Sequence, residues 1–178
     1  IDAMLAEAWE AGLAGLIAVG GASEVGGWND TLEMASRERR IWATVGIHPH
    51  LGSGATLAAL DKLRGALDHP RVVALGETGL DYFYDNSPRA EQEASFEAQL
   101  DLASETGLPV VVHSRAADAE TIRLVQAFEG RVLGVLHCFS GGAALLEAGL
   151  EAGWYVSFSG IVTFKKFEDG DLVRRVPS

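Results

Sequence analysis

The sequence predicts a parallel α/β fold. Six short apolar runs, rich in β-branched residues, are separated by stretches that are each long enough for a loop and a helix. The runs are nearly continuous in hydrophobicity and do not alternate, as expected for strands of a parallel sheet covered on both faces. A junction of helix, glycine and strand also occurs three times, which is typical of repeated βα units.

The first of these junctions lies near the N-terminus. Four residues here have the i, i+3, i+4, i+7 spacing of one helix face: Leu5, Ala8, Trp9 and Gly12. Gly12 also suits the left-handed residue that ends a helix. We therefore expect a helix up to this glycine and a strand over residues 15–19.

The second junction follows a longer helix. Its apolar stripe consists of Phe96, Leu100 and Ala103. Ser87 is expected to cap this helix, with Pro88 at the first helical position. Gly107 is expected to end it, just before a strand over residues 109–113.

The third junction places Gly153 before a strand over residues 154–159. Six βα-type units are thus visible in 178 residues, whereas a complete eight-unit barrel needs about 250 residues. Either the sheet is open or the chain is incomplete. No low-complexity tract or proline-rich linker divides the sequence, so residues 1–178 are expected to form a single domain.

Composition narrows the possible functions. The chain has 14 basic and 25 acidic residues and a formal charge of −11, which argues against holding polyanions on a broad basic surface. The single cysteine, Cys138, excludes an internal disulfide and fits a reducing compartment, so we expect a cytoplasmic protein. No apolar run approaches the roughly 20 residues of a membrane span, so no membrane association is expected.

Three metal-competent side chains close three of the predicted strands. They are Glu77, His113 and His137. In a (β/α) barrel the reactive groups come from the C-terminal ends of the strands, which converge on one face. A carboxylate and two imidazoles on one rim would form a site for a divalent hydrolytic metal. The alternative is that each histidine is a core or loop residue with one backbone hydrogen bond.

Glu77 needs a partner because it follows a buried strand in a glycine-flanked turn. An unpaired buried charge costs several kcal/mol, and either a divalent cation or an arginine can compensate it. The arginine alternatives are Arg115 and Arg89. Asp81 is a weaker metal candidate, because aspartates in loops commonly cap their own backbone.

The segment from His48 to His50 carries two imidazoles two residues apart, as in a metal motif on one strand face. Pro49, however, bends the chain between them, and the pair falls beyond the strand. We therefore expect His48 to point inward, where it could donate a hydrogen bond to a phosphoryl or acyl oxygen, and His50 to be exposed. His69 lies at the opposite end of a strand and receives no function.

Cationic side chains follow two of the predicted strands. Arg115, Lys165 and Lys166 lie in loops of this kind, and barrels often bind phosphate near their last strands. The alternative for both lysines is ordinary solvated charge. Cys138 is expected to point away from His137, toward a covering helix, as a buried structural thiol.

Several motifs together resemble the TatD family of metal-dependent deoxyribonucleases. They match from the first residues to about Lys166, in the family's order and spacing. The motifs are Val45-Gly46-Ile47-His48-Pro49-His50, Leu75-Gly76-Glu77-Thr78-Gly79-Leu80-Asp81-Tyr82, Pro109-Val110-Val111-Val112-His113-Ser114-Arg115, Leu136-His137-Cys138-Phe139-Ser140-Gly141 and Ser157-Phe158-Ser159-Gly160.

The resemblance implies a TIM-type (β/α) barrel, here incomplete at both ends, with about six of eight units and the first and last strands missing. It implies up to two divalent cations, Mg²⁺, Mn²⁺ or Zn²⁺, with Glu77 bridging both as the catalytic carboxylate. His113 and His137 would hold the second cation, and His48 would contact substrate. The family's His-x-His pair on a first strand and its late aspartate are absent from this sequence.

The expected function is therefore a metal-dependent hydrolase that cleaves phosphodiester bonds in DNA. A second hypothesis keeps the metal but cleaves an ester or amide, as an aminoacyl-tRNA deacylase does, since the same activated water serves acyl transfer. A third is an inactive metal-binding fragment, because ligands are absent. We also expect the chain of 178 residues to be poorly stable alone, since open sheet edges favour association.

Overall fold

The computed structural model of the chain describes residues 2–20, 24–165 and 170–177. It confirms the parallel α/β class. The strands are β1 (Leu16–Val19), β2 (Ile41–Val45), β3 (Val72–Asp81), β4 (Val110–Arg115), β5 (Gly134–Leu136) and β6 (Tyr155–Val156). They form one sheet in the order β1-β2-β3-β4-β5-β6, and each strand is parallel to the next. This sequential parallel order is that of consecutive strands in a TIM-type barrel.

Helices alternate with the strands. They are α1 (Asp2–Glu10), α2 (Asn29–Arg37), α3 (Leu57–Leu67), α4 (Arg89–Thr106), α5 (Asp118–Ala127), α6 (Ala143–Glu151) and α7 (Gly170–Arg175). Short 3-10 helices span Pro49–Gly54 and Ser159–Thr163. Among the described residues, none of the helices combines the length and hydrophobicity needed to cross a bilayer.

The core lies between the sheet and the helices. Fully buried helix side chains, among them Leu63, Phe96, Leu100 and Leu124, pack with buried strand residues such as Val45, Leu75, Val110 and Leu136. Burial of each side chain of this size contributes about 1.5–3 kcal/mol. This packing fixes the strands against one another, so their C-terminal ends form a rigid rim.

The opposite face of the sheet is partly open, which differs from the expectation of strands covered on both sides. In β1, Leu16 and Ala18 pack on the core, so Ile17 and Val19 point away from it and are 57% and 39% exposed. In β6, Tyr155 is 75% exposed. Both strands are the outermost ones of the six-stranded sheet in the described structure, where neighbouring side chains cover them least.

Two of the predicted helix ends are confirmed. Gly12 and Gly107 follow α1 and α4 with positive φ of 87° and 70°. The predicted start of α4 is wrong in detail: Pro88 is the residue before the helix, and no side chain caps it. The Ser87 hydroxyl instead donates to the His50 carbonyl and accepts from the Ser53 amide. The Ser87 hydroxyl, which the local sequence pattern predicted to cap α4, therefore makes tertiary hydrogen bonds instead.

Candidate metal centre

The rim of the sheet brings together three groups that could hold a metal ion. His48, Glu77 and His113 each offer a donor atom, and these atoms lie within 4.8 Å of one another. We call these three residues the donor group. Glu77 Oε1 lies 3.4 Å from His113 Nδ1. The rings of His48 and His113 are 5.2 Å apart between centroids. Residues from β3, from β4 and from the segment after β2 thus converge on one point.

Glu77 reaches this point through an irregularity in β3. The predicted strand end at Glu77 is wrong, because β3 continues to Asp81. The register with β4 shifts here: Gly76 pairs with Val111 and Thr78 with Val112. Glu77 is therefore the extra residue of a bulge, and bulges commonly re-aim a side chain next to a functional site.

Glycine permits the close approach of β3 to β4. Gly79 has φ 122°, and a Cβ atom there would lie 2.0 Å from the His113 carbonyl oxygen. A second contact joins β3 to the segment after β2, since a Cβ at Gly46 would lie 2.7 Å from the Gly76 backbone. The glycines in these two motifs therefore allow the backbones beside His48 and His113 to meet at Glu77.

Asp81, the last residue of β3, orients two of the histidines. It is 1% exposed. Its Oδ2 accepts hydrogen bonds from His113 Nε2 at 2.9 Å and from His50 Nε2 at 3.1 Å. Its Oδ1 accepts from the amides of Phe83 and Tyr84. The expected backbone cap is therefore present, but Asp81 also orients two imidazoles, which sequence reasoning missed.

The expectation of an exposed His50 is also wrong, because its bond to Asp81 leaves the side chain only 27% exposed. The sequence places both residues close to metal candidates: His50 lies two residues from His48, and Asp81 lies four from Glu77 in the same strand. Neither spacing reveals that the His50 imidazole and the Asp81 carboxylate meet, because His50 lies in the 3-10 helix after β2 and Asp81 at the end of β3.

Two carboxylates face the single imidazole of His113, Asp81 at Nε2 and Glu77 at Nδ1. A neutral imidazole carries only one N–H, so a proton or a cation must lie between the second nitrogen and its carboxylate. Burial lowers the His113 pKa, but the bonds to Glu77 and Asp81 outweigh burial and raise it overall. A divalent cation in place of the Nδ1 proton fits this donor set, because a ligating histidine commonly donates its other N–H to a carboxylate.

His48 has a different protonation state. Its Nδ1 accepts a hydrogen bond from the His50 amide at 3.2 Å. Burial, which outweighs the attraction of Glu77, lowers the His48 pKa to about 4. The ring is therefore neutral near pH 7 and carries its proton on Nε2, which makes it a hydrogen-bond donor at the rim.

The carboxylates are ionised despite their burial. Burial raises the pKa of Glu77, but the hydrogen bond from His113 and the nearby His48 and His137 lower it overall. The alternative arginine partners of Glu77 lie elsewhere: Arg89 pairs with Asp85, and the Arg115 guanidinium lies over the Phe83 ring. Glu77 is thus an ionised carboxylate whose ion-pair partner, in the described part of the chain, is an imidazole.

His137 and Cys138 follow β5. The His137 amide donates to the Val112 carbonyl, and its Nε2 lies 3.2 Å from Cys138 Sγ. His137 is outside the group of three donors found among the described residues, so its metal-binding function stays a prediction. Cys138 has φ 48°, which breaks the strand alternation. Contrary to expectation, it lines a cavity of about 420 Å³ together with His113 and Arg115.

The remaining predicted residues are not members of the donor group. Arg115 ends β4 and lines the same cavity as His113. Lys165 is exposed, and Lys166 lies outside the described residues. His69 precedes β3, at the other end of the strand from Asp81, and its Nδ1 accepts from the Arg71 amide. Its position agrees with the absence of a predicted function.

Comparison with known proteins relates this rim to a family. The model of the family described as TatD related DNase matches residues 1–178. The 3'-5' ssDNA/RNA exonuclease TatD of Enterobacter lignolyticus is 38% identical over 162 residues, which are 90% of this chain and 62% of that protein. An uncharacterized metal-dependent hydrolase TatD of Mycobacterium tuberculosis is 34% identical over 171 residues, covering 93% of this chain and 64% of that protein.

A solved structure gives the same result. The TatD homologue YjjV of Escherichia coli K12 superposes with a TM-score of 0.90 at 28% identity, covering 99% of this chain and 68% of that chain. The chain spans a little less than two thirds of the length of the Enterobacter and Mycobacterium relatives, at 62% and 64%.

Proposed function

This chain belongs to the TatD family of DNases, and on that premise we propose that it is a metal-dependent hydrolase that cleaves phosphodiester bonds. Single-stranded DNA or RNA is the first substrate to test, because relatives carry the name 3'-5' ssDNA/RNA exonuclease. The observation that carries the proposal is the convergence of His48, Glu77 and His113 at the rim.

Glu77 and His113 would hold a divalent cation, with His137 as the third ligand. Carboxylate and imidazole donors suit Zn²⁺ or Mn²⁺, or Mg²⁺ with additional waters, and the resemblance to the family implies up to two such ions in a longer chain. When bound, the cation supplies a Lewis acid that polarises phosphoryl oxygens and makes water acidic enough to act as a nucleophile at neutral pH. Asp81 would keep the His113 ring fixed by accepting the hydrogen bond from its Nε2–H.

His48 would bind the substrate. Its Nε2–H would donate to a non-bridging phosphoryl oxygen, where negative charge grows during hydrolysis. Because Nδ1 is occupied by the His50 amide, the donor nitrogen is fixed without a carboxylate partner. Arg115, which lines the cavity beside His113, would contribute a positive charge to the phosphate.

The single cysteine fits a cytoplasmic location.

The test is Glu77→Gln in the chain of 178 residues and in a form extended to the length of its relatives. We expect Glu77→Gln to lower Mn²⁺-dependent hydrolysis of a 3'-labelled single-stranded oligonucleotide by more than about 100-fold, because the lost charge removes a metal ligand. Circular dichroism and the unfolding midpoint should stay close to wild type.

Glu105→Gln is the matched control, because Glu105 is exposed and its ion-pair partner within the described ranges is the surface residue Arg64. Its hydrolysis rate should equal that of wild type. An acyl substrate, such as an aminoacyl ester, is assayed with the same preparation. Unchanged phosphodiester turnover in Glu77→Gln, or turnover of the acyl substrate alone, would contradict the proposal.

A further inference from the structure

We propose that Phe83, Tyr84 and Arg115 form a base-stacking subsite for single-stranded nucleic acid beside the metal centre. We call Phe83 and Tyr84 the aromatic pair. The inference rests on the proposed function and specifies how its substrate would be held. Two large aromatic side chains, both exposed to solvent, are the observation behind it.

The aromatic pair is exposed at the rim. Phe83 is 60% exposed and Tyr84 56% exposed, although aromatic side chains usually contribute most by burial. Their ring centroids are 5.0 Å apart and their planes meet at 89°. The edge of one ring therefore points at the face of the other. Because more than half of each side chain is exposed, aromatic surface is accessible to a flat ligand.

The exposed rings are held in place. The amides of Phe83 and Tyr84 both donate to Asp81 Oδ1, at 3.0 and 2.9 Å. The Arg115 guanidinium lies 4.0 Å from the Phe83 ring centroid and 4.9 Å from that of Tyr84. Tyr84 also packs edge to face on His50 at 5.6 Å. A surface fixed in this way loses little conformational entropy when a ligand binds.

The aromatic pair is joined to the metal centre by one side chain. Asp81 binds the backbone of the pair with one oxygen and binds His113 and His50 with the other. The base and the phosphate of a nucleotide are linked through a single sugar. A phosphate at the donor group would therefore place its own base, or that of the next nucleotide, near the aromatic pair.

The chemistry of the subsite suits a nucleic acid better than a protein partner. Stacking on aromatic rings holds any base, and arginine adds cation–π attraction and a positive charge for phosphate. The chain carries a net charge of −11 and cannot rely on a broad basic surface. Stacking would supply binding affinity for nucleic acid that electrostatic attraction does not. It requires unpaired bases, and therefore a single strand.

The experiment measures binding without turnover. A fluorescein-labelled single-stranded oligonucleotide of 12 nucleotides is titrated with protein in EDTA, and an abasic strand of equal length serves as the second ligand. We expect the double variant Phe83→Leu, Tyr84→Leu to bind the normal strand about 5- to 100-fold more weakly, with binding of the abasic strand unchanged. The aromatic exchange Phe83→Tyr, Tyr84→Phe should retain wild-type affinity.

Tyr155→Leu is the matched control, because this ring is 75% exposed but lies in β6, three strands along the sheet from β3, which precedes the aromatic pair. Equal affinity of wild type and the leucine variant, or of wild type for normal and abasic strands, would overturn the proposal. So would a leucine variant that changes only the sedimentation coefficient of the protein, which would identify a protein contact. Base-dependent binding by a chain that hydrolyses nothing would support the subsite and refute the proposed activity.

Discussion

At the scale of single residues, the site depends on how two carboxylates and the backbone orient three imidazoles. Asp81 Oδ2 accepts hydrogen bonds from His50 and His113, and His113 Nδ1 faces Glu77. His48 is oriented by the backbone and not by a carboxylate. The two kinds of partner give the histidines different protonation states, and therefore different chemistry: one suits a ligand and the other a hydrogen-bond donor.

His48 should stay neutral down to about pH 4. The folded pKa lies below the ordinary value of 6.5 because burial disfavours the charged ring. Its contribution to stability is therefore fully present above pH 6.5 and is lost as pH falls through about 4. Ring ¹⁵N NMR between pH 7 and 4 checks this, and it should show the proton on Nε2.

His69 provides the reference spectrum for this tautomer, because its Nδ1 also accepts from a backbone amide two residues later, at 3.2 Å. A proton found on His48 Nδ1, or titration of His48 near its ordinary value, would refute the assignment. The Nε2–H donor that we propose for substrate binding would then be absent.

Asp81→Asn should lower both stability and metal affinity. The buried carboxylate accepts four hydrogen bonds, so we expect a loss of about 1.5–3 kcal/mol in the free energy of unfolding at pH 7. Metal affinity should fall by about 10- to 100-fold, because the His113 ring loses its fixed orientation. Urea unfolding and competition with a chelating dye measure the two effects.

The pH dependence of this variant has a definite sign. Burial raises the Asp81 pKa, but its hydrogen bonds outweigh burial and lower it overall. The stability that wild type gains from the ionised carboxylate is thus present above the ordinary pKa and lost as pH falls through the folded pKa. The difference between wild type and Asp81→Asn should shrink below about pH 4. Asp101→Asn, at an exposed position of α4, is the matched control for the loss of one acidic side chain.

At the scale of elements, α4 positions the site with two buried glutamines two turns apart. The Gln99 amide group accepts from the Ile47 amide at 2.8 Å and donates to the Ile47 carbonyl at 3.0 Å. Gln92 makes the same pair of bonds with the backbone of Asp81, at 2.8 and 3.1 Å. One helix therefore fixes the chain next to His48 and at Asp81, so the two sides of the site move together.

Gln99→Leu should destabilise the protein and impair the site. Leucine leaves the amide and carbonyl of Ile47 without partners, at about 1–3 kcal/mol for each buried group. Gln126→Leu is the control, because Gln126 is exposed on α5, and its effect should stay within about 0.5 kcal/mol. Chemical denaturation compares the two. Equal stability would show that Ile47 finds other partners.

At the scale of the whole molecule, the net charge limits how nucleic acid can bind. A chain with a charge of −11 repels a polyanion except where local cations or stacking surfaces face it. Arg115 is the cation placed beside the donor group in the described structure. Binding through it and one further cation would neutralise only one or two phosphates.

Single-strand binding should therefore depend weakly on salt. With one or two phosphates neutralised, the slope of log K against log salt should lie between about −0.7 and −1.4. Fluorescence anisotropy from 50 to 300 mM KCl in EDTA measures this slope. Arg115→Gln should make the slope less steep by about 0.7. A slope steeper than about −3 would show a basic surface that this structure does not contain in its described residues.

The sequence by itself determined the fold class, the helix ends at Gly12 and Gly107, and the convergence of Glu77 and His113 at one edge of the sheet. These follow from local rules: hydrophobic runs, glycine at positive φ, and the position of polar residues near strand ends.

Only the tertiary structure decided that Glu77 lies in a bulge, that Asp81 and His50 meet, and that Cys138 faces the rim cavity. These depend on the register between strands and on single backbone angles. One residue of shift reverses the direction of every side chain, and no local pattern in the sequence encodes that shift.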